Sequence, residues 1–154
     1  MSNIAFGLAP PQITIYTDDM PENSGGTAKA FLVKIRPKYR DDAGLHAHES
    51  RHVAQWWVWV LIGCVLAAAL AVLPHLSAWA AFWPLPIIFM GAAERLAYQF
   101  VPAYRLWCEV DAYWVQQSFY QDDRGPAFAE FIASGYGLAI TPEQALARLK
   151  AHND

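Results

Sequence analysis

The sequence predicts a mainly α chain of the α+β kind. It would hold a short N-terminal β-hairpin, a helix carrying His48-Glu49-Ser50-Arg51-His52, an apolar helical hairpin, a helix around Glu109 and further C-terminal helices. Three observations predict this. β-Branched alternation is confined to two stretches before residue 37. Residues 53–93 carry no Asp, Glu, Lys or Arg. Helix start and stop signals then recur to the end of the chain.

Residues 12–16 (QITIY) alternate and read as a strand. Residues 18–27 (DDMPENSGGT) have turn chemistry, and 30–36 (AFLVKIR) read as a second strand, expected to pair with the first. Pro37 ends it. Asp41 or Asp42 can cap a helix that starts near Ala43 and can run unbroken into the apolar stretch. Beyond that stretch, 94–100 extend a helix to Pro102, and 103–120 read as one helix. Residues 122–126 (DDRGP) form a turn, and 127–134 a short helix ended by Gly135. Thr141, Pro142 and Gln144 open the last helix with a capping box.

With 154 residues the chain suffices for one modest domain, 1–154. Eleven Lys and Arg against 14 Asp and Glu give a net charge of -3, which argues against a nucleic-acid partner. A hydrophobic content of 55% excludes disorder as the main state, and two cysteines exclude a disulfide-rich scaffold. The first 15 residues lack a basic start and an apolar core, so no signal peptide is expected.

Even spacing would put about seven charges in 53–93. The stretch splits at Pro74 into two apolar runs, 56–73 and 76–93, each about the length that crosses a bilayer as a helix. Pro84 and Pro86 should kink or break the second. All seven tryptophans lie between Trp56 and Trp114, and Trp56, Trp57 and Trp59 stand where a membrane boundary would fall. Residues 53–93 are thus read as a transmembrane hairpin joined by a tight turn at 73–75. Basic residues lie before and after it, so both termini are expected on the cytoplasmic side. A buried helical pair in a soluble or assembled protein is the competing reading.

His48-Glu49-Ser50-Arg51-His52 is an H-E-x-x-H pattern. Residues four apart share a helical face, so His48 and His52 offer two imidazoles to one metal ion. Glu49, one step round, is placed to take a proton from a water on that ion. Hydrolytic zinc sites use a third protein ligand, for which Glu109, Glu94, Asp111, His46 and His75 are candidates. His46 points elsewhere on the helix, and His75 would lie about 30 Å away across a bilayer. Glu109 is the strongest choice, a carboxylate in an apolar helical stretch where it must be ligated, exposed or paired, for instance with Arg105. A hairpin that crosses and returns puts His48, His52 and Glu109 on one side of the membrane.

The pattern with the later Glu109-Val110-Asp111-Ala112 resembles the gluzincin zinc metallopeptidases, above all their small minigluzincin-like and membrane-integrated members. Residues 34–57 also resemble small bacterial and phage-encoded metallopeptidases. The resemblance covers about 80 residues in two pieces, of which the first is the specific one. It implies a zincin-like domain, Zn2+ on His48, His52 and Glu109, Glu49 as general base, and an edge strand at 30–36 holding an extended peptide. Tyr113 stands where many gluzincins have an Asp that orients a histidine. For an oxyanion donor, Tyr104, Tyr113 and Arg105 are candidates by nearness to Glu109.

The expected function is membrane-associated hydrolysis of a peptide or protein substrate by a zinc-bound water. The alternative is a structural or assembly protein, such as part of a phage particle or membrane complex, with a non-catalytic zinc. A holin-like membrane-disrupting protein would leave the H-E-x-x-H pattern without a role.

Overall fold

Three four-residue strands precede the helices in the computed structural model, which describes residues 10–72, 82 and 84–152. They are β1 (Ile13–Tyr16), β2 (Gly26–Lys29) and β3 (Leu32–Ile35), in the order β1-β3-β2. The two expected strands do pair, but β1 runs parallel to β3, with Ile13 opposite Leu32, so they are not a hairpin. The hairpin is β2–β3, which turns at Ala30 with a positive φ of 54°. Part of the expected 18–27 turn is therefore strand. β3 takes the centre because Val33 and Ile35 bury against the first long helix, whereas Ile13 and Ile15 of β1 stay exposed. Arg36 holds the crossover between β1 and β2: its guanidinium donates to the carbonyls of Ser24 (2.7 Å) and Pro21 (2.7 Å) and to Asp18.

Helix α1 (Ala43–Val72) is 30 residues long and runs unbroken through the H-E-x-x-H pattern into the apolar stretch. Asp42 is its cap, accepting from the Leu45 N–H at 2.9 Å and from the Tyr120 hydroxyl at 2.7 Å. Val53, fully buried, packs on Val33 and Ile35. From residue 53 to 72 the helix has no charge and is about 30 Å long, the thickness of a bilayer's hydrocarbon. Among the described residues α1 is the one helix long and apolar enough to cross a membrane, and only 28% of its apolar window is buried.

Helix α2 (Leu85–Phe100) returns alongside it. The Trp56 indole donates to the Gly91 carbonyl, while Gly63 meets Ile87, so the two helices are antiparallel. Pro84 and Pro86 neither kink nor split α2 but open it, at the cap and in the first turn, where a proline's missing N–H costs no helical bond. The expected turn at 73–75 and much of the second apolar run lie outside the described residues.

Extended Val101 breaks the chain before α3 (Pro102–Gln117). Helices α4 (Gly125–Gly135) and α5 (Pro142–Ala151) follow, and α5 starts with the expected Thr141–Gln144 capping box. Val110, Tyr113, Phe128, Ile132 and Leu149 form a core between these three helices. Polar residues of α1 and α3 lie between this core and the smaller one under the sheet.

Candidate metal centre

Helical periodicity puts His48 and His52 one turn apart on the face of α1 that meets α3, and Glu109 faces them from α3. The His48 and His52 Nε2 atoms are 3.2 Å apart. They lie 3.7 Å and 3.5 Å from the two Glu109 carboxylate oxygens. Donors about 2.1 Å from a tetrahedral ion stand about 3.4 Å from one another, close to the separation of the two imidazoles; the rings face different oxygens of Glu109, and one donor atom from each of the three residues lies within 4.8 Å of the others. Glu109 has no exposed surface, and its Oε2 has no hydrogen-bond partner. A buried anionic oxygen left without a partner is expensive unless a cation meets it. The group could therefore hold a metal ion.

The local charge agrees. Burial by itself would raise the Glu109 carboxyl, but His52 and His48 outweigh it and hold the group ionised, well below its usual range. Burial and the neighbouring His52 keep His48 neutral, as a ligand must be. His52 goes the other way: burial is outweighed by Glu109, which holds a proton on the ring in the absence of an ion. Burial pushes the Glu49 carboxyl up to about 8.

A polar chain behind the donors fixes their aim. Gln55 Oε1 pairs with His52 Nδ1 at 3.0 Å. Gln55 Nε2 donates to Asp111 at 2.8 Å, and Arg51 donates to both oxygens of Asp111 at 2.6 and 2.9 Å. His152 Nε2 approaches Asp111 at 3.3 Å. Such partners set ring orientation and basicity. The Tyr98 hydroxyl donates to Glu109 Oε1, and the Tyr113 ring stands edge-on to His48 at 4.4 Å between centroids. None of Gln55, Tyr98 or Gln116 was legible as a site residue, although Gln55 left a signal: a polar residue three positions after His52 in an otherwise apolar run. Gln116, buried on α3, has an unpartnered Oε1, as His48 has an unpartnered Nδ1.

Glu49 is 4% exposed and points at the sheet. A Cβ on Gly26 would come within 2.5 Å of Glu49 Oε1, so this position of β2 has no room for a side chain. β2 is an edge strand, and with Ser24 and Ala30 it lines a cleft of about 250 Å³ that includes His48, Glu49, His52 and Glu109. The cleft strand is thus β2, not the expected 30–36, whose core β3 has strands on both sides.

The remaining candidates are placed elsewhere. Glu94 lines the cleft but is not in the donor group. Asp111 is taken by Arg51 and Gln55, and His46 pairs with the Arg40 carbonyl. His75 lies outside the described residues. Arg105 forms no ion pair with Glu109; it donates to the carbonyls of Tyr98, Gln99 and Tyr136, tying α2 and the α4–α5 loop to α3. Tyr104 accepts from Trp59, and the Tyr113 hydroxyl meets that of Tyr136, which lines the cleft. No protein-family model matches the chain, and no similar curated protein or solved structure was found.

Proposed function

We propose that the chain is a membrane-associated zinc-dependent metallopeptidase. The observation that supports it most is the convergence of His48, His52 and Glu109 donor atoms within 4.8 Å of one another, with the Glu49 carboxyl beside them in a cleft walled by an edge strand. Two imidazoles and one carboxylate on rigid helices suit zinc. Bound there, zinc would supply Lewis acidity toward a peptide carbonyl and toward water. With a cation bound beside it to favour its ionised form, Glu49 would take a proton from the attacking water on its carboxylate and deliver it to the leaving amine nitrogen. The unpaired side of β2 holds an extended peptide by backbone hydrogen bonds. Gln55 and Asp111 keep the His52 ring aligned, and Tyr98 does the same for Glu109.

Residues 53–72 supply the membrane anchor. Their length and the exposure of Val58, Leu61, Ile62, Val65 and Leu66 support insertion, with α2 returning beside them. Glu49→Gln is the test. It should keep one zinc per chain and slow peptide hydrolysis about a hundredfold or more; cleavage at the wild-type rate would sink the mechanism.

A structural protein with a non-catalytic zinc is the second reading, favoured by the complete burial of Glu109. A hydroxamate, which needs an open coordination position, separates the two. It raises the melting temperature of a hydrolytic centre and leaves a closed staple unchanged.

A further inference from the structure

Glu94 projects from α2 onto the cleft wall, where it is 4% exposed. Its Oε2 has no hydrogen-bond partner. It lies outside the donor group formed by His48, His52 and Glu109, so the metal centre does not account for it. Two cations share the cleft wall, Arg95 and Lys29; Arg95 and the nearby His52 attract Glu94 through space, yet none of the three forms a direct ion pair with it. The Arg95 guanidinium lies instead over the Tyr98 ring, 5.9 Å from its centroid. A carboxylate removed from water and left without a partner is costly to keep. In a cleft, the missing partner can arrive with what the cleft binds.

We propose that Glu94 recognises a positive charge on the bound peptide, an ammonium or guanidinium group that enters the cleft beside the metal donors. The proposal rests on the peptidase reading of this cleft. Two peptide groups carry that chemistry: a Lys or Arg side chain, and a free amino terminus. A bidentate guanidinium or a compact ammonium would complete the carboxylate's hydrogen bonds and offset its desolvation.

The test measures binding without turnover, using the full-length, zinc-loaded Glu49→Gln protein in detergent. Calorimetry compares three pentapeptides: one blocked at both ends with a central lysine, the same with norleucine, and the norleucine peptide with a free amino terminus. One of the two cationic peptides should bind about tenfold or more tighter than the blocked norleucine peptide. Which one does so identifies the source of the charge. Adding Glu94→Gln should erase the advantage while leaving the neutral peptide's affinity unchanged, and Glu94→Asp should retain part of it. An advantage that survives Glu94→Gln, equal binding of all three peptides, or no binding at all overturns the proposal. Glu94-dependent preference with no hydrolysis by the wild-type protein would sink the peptidase reading alone. Hydrolysis indifferent to charge would sink this one alone.

Discussion

The two halves of α1 obey opposite rules. From Ala43 to Gln55 the helix buries polar groups: His48, Glu49 and Gln55 are each less than one-tenth exposed. From Trp56 to Val72 it exposes apolar ones, with Leu61 at 61%, Val65 at 68% and Val72 at 77%. In a water-soluble helix the first pattern is costly without partners, and the second is wasteful. The first half recovers its cost through Asp111, Gln55 and Glu109, a hydrogen-bonded and ionic lattice. The second half meets α2 at Gly63, buries Val60 and Ala67, and leaves much of the rest of its surface apolar and exposed, a pattern that suits a lipid-facing helix. On the proposed reading one rod would serve two solvents, with the change within about one turn after His52.

Mutations in each half should have separable effects. The largest is His52→Ala, which should take zinc content from one per chain to none, by metal analysis, without releasing the protein from membranes. Val65→Lys comes next. In water it would be nearly neutral at such an exposed position, but mid-bilayer it costs about 3 kcal/mol of insertion. The membrane-bound fraction after carbonate washing should fall while zinc content holds; no change would mean that this face does not meet lipid. Gly63→Leu should loosen the α1–α2 contact by about 2 kcal/mol, because an added Cβ would sit 2.7 Å from the Ile87 Cα and the Pro86 carbonyl oxygen. Limited proteolysis would read the loss, again with zinc retained. Gln55→Leu is the smallest change and the one that bears on the seam between the halves. It should weaken zinc about tenfold in a chelator competition by freeing the His52 ring, and an unchanged affinity would remove Gln55 from the positioning chain.

The sequence shows the polar half of α1 more fully than its surroundings. The H-E-x-x-H spacing, the Asp42 cap and the lone Glu109 in an apolar stretch are local or nearly local signals, and the fold brings them together. The α5 capping box is likewise read from four residues. β2 is hidden because its sequence, Gly-Thr-Ala-Lys, has too little alternation to read as a strand, and its glycine answers to Glu49, 23 residues later. Strand direction is hidden too: parallel pairing of β1 and β3 depends on the Arg36 clamp closing the crossover. Tyr98 and Gln116 reach the site only through the crossing of α1, α2 and α3, which no periodicity within one helix reveals. Pro84 and Pro86 suggest a break, but at the first turn of a helix they mark a beginning.

Nothing interrupts α1 between its cap and Val72, a length of about 45 Å. A stiff beam of this kind transmits any lean at its far end to the two imidazoles at the near end, degree for degree. Asp42 with Tyr120 and Arg51 with Asp111 moor the near end to α3 and the chain just after it. On the proposed membrane reading, the thickness of the bilayer would be felt at those moorings before it disturbed the donors.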